Sequence, residues 1–219
     1  MDNNKIQSKV LAISNVTEST YILRLERNGF DFKAGQYLVL SIPGERKARE
    51  YSIYSGENDD YIELLIKEVN PGELSHELKH LKIGTKVQIS GPFGFFILKD
   101  EDIQQKKPVV FVATGTGISP FRSIIRSNPE IDYTVLHGVR YKIEAYHKED
   151  YLPKRFVLCT SGENHADFNG RVTDYLKLNP INLKALYYLC GNSAMVDEAI
   201  EILEEQGLPA ENIKTEIFF

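Results

Sequence analysis

The first half of the chain alternates short apolar segments with turn-forming residues. Pairs such as Asn28-Gly29 and Pro43-Gly44 separate segments rich in β-branched and aromatic side chains. The predicted strands are 6–13, 20–26, 36–42, 49–55, 61–67 and 86–90. One helical segment, 74–81, interrupts them, because its leucines are spaced by four residues and then by three. This pattern predicts an antiparallel β-barrel.

The second half alternates strands with helices. Predicted strands cover 109–113, 133–136, 156–160, 186–190 and 213–218, and predicted helices begin near Pro120, Arg171 and Ser193. Such alternation is typical of a parallel sheet covered by helices. Because the polar stretch 99–107 separates the two patterns, we predict a two-domain fold. A β-barrel domain over residues 1–102 precedes an α/β domain over residues 103–219.

Composition narrows the class of protein. The chain has 219 residues, of which 42% are hydrophobic and 26% charged, as in ordinary globular proteins. It has neither a signal-peptide pattern nor an apolar run near the roughly 20 residues that span a bilayer, which predicts a cytoplasmic protein without membrane contact. A net charge of -5 argues against nucleic acid as a partner. Nothing demands more than a monomer.

The cysteines limit the redox chemistry. Cys159 and Cys190 stand far apart and form no C-x-x-C pair, so they supply neither a disulfide framework nor the four thiolates of an iron-sulfur cluster. No residue set predicts a metal site. A redox role would then depend on an organic cofactor or a metal.

A glycine-bearing turn follows the first strand of the second half. Gly115 and Gly117 would let the backbone approach a pyrophosphate, and the helix that begins at Ser119-Pro120 would direct its N-H groups toward that charge. Proline replaces the third glycine of G-x-G-x-x-G, so the dinucleotide fingerprint is only partly met. An ordinary tight βα turn is the alternative interpretation.

Two arginines favour a phosphorylated ribose. The next strand ends in Gly138-Val139-Arg140 without an acidic residue, whereas an acid at this position would hold the 2'-hydroxyl of NAD. Arginine suits the 2'-phosphate of NADP. Arg171, at the start of a later helix, is a second candidate, with a solvated surface charge as the alternative.

Five motifs follow one another along the chain. They are Arg49-Glu50-Tyr51-Ser52, Gly72-Glu73-Leu74-Ser75, Gly91-Pro92-Phe93-Gly94-Phe95-Phe96, Gly115-Thr116-Gly117-Ile118-Ser119-Pro120 and Cys190-Gly191-Asn192. With these in register, the chain resembles the ferredoxin-NADP(+) reductase family over nearly its whole length. It is most similar to the compact bacterial branch that has a short aromatic C-terminus. The resemblance implies an FAD-binding barrel followed by an NADP-binding α/β domain.

The resemblance assigns residues to FAD. Arg49 would neutralise the phosphates, Tyr51 would cover one flavin face and Ser52 would hydrogen-bond near N5, with Glu50 in the same motif. The pyrophosphate would bind at Glu73, Leu74 and Ser75, and Thr116 would touch both cofactors. Taken singly, each of these residues is more often an ordinary strand residue or a helix cap.

The C-terminus would complete the flavin site. The resemblance implies that Phe218 covers the other flavin face, that Phe219 stacks on the adenine and that Glu216 assists proton movement. Phenylalanine stands here where the family has tyrosine or tryptophan, so a hydrogen bond from those rings is lost. The docked end of a last strand is the alternative interpretation of these residues.

The resemblance also implies an NADP site. Its residues would be Gly115, Gly117, Val139, Arg140, Ser161, Arg171, Asn192 and Met195, with Cys190 beside the nicotinamide C4. Gly162 stands where related sequences often have a basic residue, which weakens the preference for NADP. Cys190 as a small buried hydrophobe is the alternative interpretation.

The implied activity is electron transfer. Hydride would pass between nicotinamide C4 and flavin N5 once the Phe218 ring moves aside, with Ser52, Cys190, Glu216 and Phe218 as the catalytic residues. A ferredoxin or flavodoxin would exchange single electrons, and Arg46, Lys47, Lys79 and Lys82 are candidate contacts or simply solvated charges. Alternatives are an NAD(P)H:flavin reductase, an oxygenase reductase component, or a non-enzymatic FAD-binding subunit that senses nucleotides.

Overall fold

The computed structural model describes residues 5–69, 73–164 and 166–218. Contacts divide the chain into two compact units. The first contains the residues up to Ile97 together with Ser119–Pro129, and the second contains Leu98–Ile118 together with the residues from Glu130 onward. The predicted domain boundary between residues 102 and 103 stays a prediction.

The first unit contains a six-stranded antiparallel sheet. Its strands are β1 (Lys5–Asn15), β2 (Thr20–Glu26), β3 (Tyr37–Ser41), β4 (Ala48–Ser52), β5 (Tyr61–Lys67) and β6 (Lys86–Phe93), with helix α1 (Leu74–Lys79) between β5 and β6. They pair in the order β4-β3-β6-β1-β2-β5. A bridge between Ile53 and Leu64 joins the two edge strands, so the sheet closes on itself as predicted.

The barrel core follows from period-two alternation. Every second residue of β2, namely Tyr21, Leu23 and Leu25, is fully buried, and the strands around it contribute their own alternating apolar side chains. Leu74 and Leu78 of α1 complete this core. The helix therefore closes one side of the barrel with the leucines that the sequence pattern predicted.

The second unit is built on a parallel sheet. Its elements are α2 (Asp100–Gln104), β7 (Val109–Thr114), β8 (Tyr133–Val139), β9 (Phe156–Thr160), β10 (Phe168–Asn169), α4 (Val172–Leu178), β11 (Leu186–Gly191), α5 (Ser193–Glu205) and β12 (Ile213–Ile217). Helix α3 (Ser119–Ser127) lies between β7 and β8 in the chain but packs within the barrel unit. The predicted fold class, an antiparallel barrel followed by a parallel α/β unit, is confirmed.

One helix and one strand were not predicted from the sequence. The polar stretch 99–107 contains the short helix α2, and the two-residue strand β10 pairs with β9 at the sheet edge. Both are shorter than the windows on which periodicity depends. Among the described residues, no helix is long and apolar enough to cross a membrane.

The parallel sheet reverses its strand order at β7. The order is β10-β9-β8-β7-β11-β12, so β7 pairs with β8 on one side and with the much later β11 on the other. In open α/β sheets, ligands bind outside the carboxyl ends of the strands at such a switch point. The ends of β7 and β11 are therefore the expected binding edge.

Candidate functional site

Two glycine-bearing turns meet at the switch point. A 3-10 turn, Gly115–Ile118, follows β7, and Gly191 ends β11. A Cβ on Gly117 would lie 2.3 Å from the carbonyl oxygen of Cys190, and one on Gly191 would lie 2.1 Å from Thr114 Oγ1. Only glycine fits at either position, so the close approach of the two turns requires these residues. Gly115 adds a positive φ of 53°.

A buried histidine holds the first turn. His137 of β8 is fully buried, and its Nε2 lies 2.9 Å from the carbonyl oxygen of Gly115. A carbonyl accepts only, so Nε2 donates, and Nδ1 has no hydrogen-bonding partner among the residues that the structure describes. Burial lowers the pKa of His137 to about 4, which keeps the imidazole neutral at physiological pH. No sequence motif pointed to this residue.

The second turn caps a helix. The Asn192 side chain accepts a hydrogen bond from the backbone N-H of Met195, at 3.0 Å, which makes Asn192 the N-cap of α5. Its Nδ2 donates to Thr114 Oγ1 at 3.2 Å. Met195 is itself buried in the core. The predicted nucleotide residue Asn192 thus ties the end of β7 to the start of α5.

The C-terminal strand brings the predicted catalytic residues together. β12 pairs with β11 so that Glu216 stands opposite Cys190, and the thiol Sγ lies 4.0 Å from Glu216 Oε2. The backbone N-H of Phe218 donates to the carbonyl oxygen of Gly191 at 2.8 Å. Burial first, and then Glu216, raises the pKa of Cys190 well above its usual range. Cys190 therefore remains a neutral thiol, and its fully buried side chain would have to become accessible to contact nicotinamide.

The predicted phosphate-binding arginines follow neighbouring strands. Arg140 follows β8, Ser161 follows β9, and Arg171 stands between β10 and α4. All three are exposed at the same edge of the sheet, beside the buried Val139. Glu144 accepts backbone hydrogen bonds from Arg140 and Tyr141 at 3.1 and 3.0 Å, a turn cap that the sequence did not indicate.

The structure explains why glycine occupies position 162. A Cβ on Gly162 would lie 2.7 Å from both Cγ and the carbonyl oxygen of Arg140 and 3.0 Å from the ring of Tyr141. The N-H of Gly162 also donates to the Arg140 carbonyl at 2.9 Å. A basic side chain at position 162 would displace the Arg140 segment, so the departure from the family pattern has a steric cause.

In the barrel unit, two of the predicted FAD motifs meet at Arg49 and Glu73. Arg49 lies in β4, and its guanidinium Nη2 is 3.3 Å from Glu73 Oε2 at the start of α1. The Arg49 side chain is 57% exposed, so it is accessible to a phosphate. Glu50, the next residue of β4, is also exposed.

The remaining predicted FAD residues of the barrel unit are buried or partly buried. Tyr51 packs against the barrel core, and burial raises the pKa of its phenol to about 12, so the ring stays neutral. Ser52 and Ser75 are each 7% exposed, and Leu74 is fully buried. Ser75 Oγ accepts a hydrogen bond from the Val69 N-H at 3.1 Å.

Two of the predicted positions, Phe219 and Gly72, lie outside the described residues. The other predicted residues fall into two groups, one in each unit. The barrel unit holds Arg49, Glu50, Tyr51, Ser52, Glu73, Leu74 and Ser75, and the α/β unit holds Thr116 with the nucleotide and C-terminal residues. Glycine turns without room for a Cβ and an exposed arginine beside a helix start fit phosphate-bearing cofactors. The individual contacts stay predictions.

Two protein-family models match the chain. Residues 5–97 match an oxidoreductase FAD-binding domain, and residues 111–201 match an oxidoreductase NAD-binding domain. These matches confirm the two predicted cofactors, FAD and a pyridine nucleotide, and the predicted enzyme class.

Curated relatives fall into two groups. The chain is 30% identical to the propane 2-monooxygenase reductase component of Mycolicibacterium smegmatis, over 95% of this chain and 66% of that protein. It is 27% identical to a ferredoxin--NADP reductase of Azotobacter vinelandii, over 95% of this chain and 92% of that protein. The chain spans between 62% and 66% of the length of three related monooxygenase reductase components.

A solved structure has the same fold over the whole chain. It is a ferredoxin NADP+ reductase from Neisseria gonorrhoeae with bound FAD and NADP, and it superimposes with a TM-score of 0.88 at 23% identity, covering 100% of both chains. Fold, domain models and relatives agree with the predicted family. The chain belongs to the ferredoxin-NADP(+) reductase family of FAD-dependent pyridine nucleotide oxidoreductases.

Proposed function

We propose that this protein uses bound FAD to carry electrons between NADPH and a one-electron carrier protein, a ferredoxin or a flavodoxin. The observation that carries the proposal is the arrangement at the switch point of the parallel sheet. There the glycine turns after β7 and β11 touch, and β12 brings Glu216 and Phe218 to the same edge. The relatives named as ferredoxin--NADP reductases support the carrier. The predicted cytoplasmic location and monomeric state stay predictions.

The role of each predicted site residue follows from the class of cofactor. Bound flavin supplies the conversion between two-electron hydride transfer and one-electron transfer. We propose that Arg49 neutralises the FAD phosphates, that Tyr51 offers an apolar face to the flavin ring, and that the hydroxyl of Ser52 directs a hydrogen bond toward N5. In the α/β unit, the neutral thiol of Cys190 points its proton toward the carboxylate of Glu216, which we propose assists proton movement.

The nucleotide preference depends on Arg140 and Arg171. Both side chains are exposed at the edge that β8, β9 and β10 share, where a 2'-phosphate would meet two positive charges. Because no acidic side chain follows β8 directly, NADPH is the expected donor. Glu144 lies four residues after Arg140, and its carboxylate accepts hydrogen bonds from two backbone N-H groups.

An anaerobic titration of the FAD-containing protein tests this function. NADPH and NADH are added in separate experiments, and the flavin absorbance reports reduction. Fast bleaching by NADPH and slow bleaching by NADH support the proposal. Equal rates of flavin reduction would contradict the proposed preference for NADPH. No bleaching by either nucleotide would overturn the proposed reductase activity.

Phe218 supplies a sharper test. Its backbone is anchored to Gly191, and we propose that its ring must leave the flavin face before nicotinamide can bind. If the ring blocks nine molecules in ten, Phe218→Ala should bind NADP+ about tenfold more tightly, since affinity scales with the competent fraction. Ile217→Ala, at the exposed last residue of β12 and directly before Phe218, is the matched control. NADP+ affinity is measured by difference absorbance, and equal or weaker binding by the folded Phe218 variant would contradict the gate.

A second function is favoured by the 30% identity to a monooxygenase reductase component. In that case the electrons would pass to an oxygenase system. The two candidates differ in the acceptor, so the reduced protein is mixed with a ferredoxin, a flavodoxin and an oxygenase component in separate stopped-flow experiments. Rapid flavin reoxidation by the oxygenase component alone would favour the second function.

A further inference from the structure

Glu68, His76 and His80 form a cluster in the barrel unit, outside the residues assigned to either cofactor. Glu68 follows β5, His76 lies in α1, and His80 is the C-cap of that helix. One potential ligand atom from each side chain lies within 4.8 Å of the other two. His76 and Glu68 are partly buried and His80 is exposed, so solvent reaches the cluster.

The hydrogen bonds of the two imidazoles fix which nitrogen is available. His76 Nδ1 lies 2.6 Å from Glu68 Oε1, and His80 Nδ1 lies 2.8 Å from the carbonyl oxygen of His76. A carboxylate and a carbonyl only accept, so each neutral ring carries its proton on Nδ1 and donates it. The lone pair of each ring is then on Nε2. Nε2 is a usual metal-binding atom of histidine.

The helix sets the spacing of the pair. Residues four apart lie on the same face of an α-helix, and the centroids of the two rings are 4.5 Å apart. Two histidines at this spacing recur as zinc ligands on helices. Imidazole nitrogen suits zinc, copper and nickel and is a poor ligand for calcium or magnesium.

Glu68 has the position of an orienting carboxylate. A metal-binding histidine usually donates its other ring N-H to such a group, which fixes the ring and raises its basicity. Lys79 pairs with Glu68 Oε2 and also donates to the Glu18 carbonyl at 2.7 Å. Both oxygens of Glu68 are therefore engaged, which favours a supporting role over direct coordination.

We propose that His76 and His80 bind a late first-row divalent cation, such as Zn²⁺ or Cu²⁺, through their Nε2 atoms. Glu68 orients His76 as a positioning residue, and water completes the coordination shell. A bound ion would join two turns of α1 through its side chains. The site does not depend on the proposed function, because none of its residues is assigned to FAD or nucleotide.

Calorimetric titration of the untagged, chelator-treated, FAD-containing protein with Zn²⁺ tests the site. We expect one strong site per chain, and His76→Gln and His80→Gln should each weaken it by about tenfold or more, by analogy with the loss of a supporting group. His147→Asn removes a partly buried histidine of the other unit, and asparagine tolerates its left-handed backbone (φ 47°). This control should bind Zn²⁺ as the parent does.

Copper gives a spectroscopic check on the ligands. With one equivalent of Cu²⁺, the electron paramagnetic resonance spectrum should show hyperfine splitting from two imidazole nitrogens, and from one in either glutamine variant. Glu68→Gln should retain both nitrogens but bind Zn²⁺ about tenfold more weakly. Two results would overturn the proposal. One is equal Zn²⁺ binding by the parent and both histidine variants. The other is the lack of a saturable site in the parent at 0.1 mM metal, which is roughly the upper limit for a specific site.

Discussion

Helices α3 and α5 both follow a glycine turn at the switch point and both bury apolar side chains, but only α3 adds a buried ion pair to them. In the barrel unit, α3 buries Phe121 and Ile124. Arg122 Nη1 of the same helix lies 3.2 Å from Glu63 Oε2 and donates to the Tyr54 carbonyl at 3.0 Å. Ser123 Oγ adds a 2.6 Å hydrogen bond to the carbonyl of Ser55. Arg122 and Glu63 are both almost fully buried.

In the α/β unit, α5 is held mainly by apolar contacts. Val196, Ala199 and Leu203 are almost fully buried, and they pack in one core with Val112 and Leu189 of the sheet. Hydrogen bonds and ion pairs depend on direction, whereas apolar packing depends on area and shape. The comparison therefore predicts that the docking of α3 is sensitive to the loss of a buried charge, while α5 is sensitive to lost side-chain volume.

Removing the buried carboxylate gives the largest expected effect. Glu63→Gln removes the carboxylate charge that faces the buried guanidinium of Arg122, which should lower the free energy of unfolding by about 3–5 kcal/mol. Arg122→Met should cost less, because Glu63 keeps its 2.7 Å ion pair with Arg24. Urea unfolding measures both. A loss below about 1 kcal/mol for Glu63→Gln would show that charge does not hold α3.

Truncating the apolar face of α5 should have the next largest effect. Leu203→Ala removes a fully buried side chain and should cost about 3 kcal/mol, within the range for such cavities. The same urea experiment measures it, with Glu201→Ala, exposed on the same helix, as the control expected to stay within about 0.5 kcal/mol. If Leu203→Met is as costly as Leu203→Ala, then volume is not what α5 requires.

The turn after β7 is held by a titratable residue, His137, so acid should weaken it. The pKa of His137 is about 4 in the folded protein against an ordinary value of 6.5, so the unfolded chain binds the proton more readily. This histidine's contribution is therefore complete above pH 6.5 and declines as pH falls toward 4, by about 3 kcal/mol at most.

The His137→Gln variant isolates that contribution. Glutamine can still donate to the Gly115 carbonyl but does not titrate in this range. The stability of the parent minus that of the variant, measured by urea unfolding, should therefore decrease between pH 7 and pH 4. A difference that stays constant with pH would mean that His137 is not held neutral by burial.

The repeating patterns of the sequence predicted most of the fold. Strands β2, β5 and β9 have the predicted limits, because alternation and flanking turns are local properties of the chain. The packing of α3 was not predictable in this way. Its partners Glu63, Tyr54 and Ser55 lie more than fifty residues earlier, so only the folded structure brings them to the helix.

The candidate site shows the same limit. Glycines at positions 115 and 117 signalled the turn after β7 because their chemistry is visible in the sequence. His137 and Glu144 gave no signal, since a histidine inside a strand and a glutamate after one are ordinary residues until the hydrogen bonds to Gly115 and Arg140 are seen. Supporting residues of this kind depend on three-dimensional neighbours.

The smallest expected effect on stability concerns the N-cap of α5, where the polar side chain of Asn192 assists a helix that packs through apolar contacts. Asn192→Ala removes the acceptor for the Met195 N-H and should cost about 1 kcal/mol in urea unfolding. Asn192→Asp keeps that acceptor and places a negative charge at the helix N-terminus, so stability should be retained. The aspartate variant loses only the Nδ2 donor, which binds Thr114 Oγ1. Weaker NADP+ binding by this stable variant would therefore come from the lost donor or the added charge. If Asn192→Asp instead loses as much stability as Asn192→Ala, then the hydrogen bond to Thr114, and not the helix cap, holds the turn after β11.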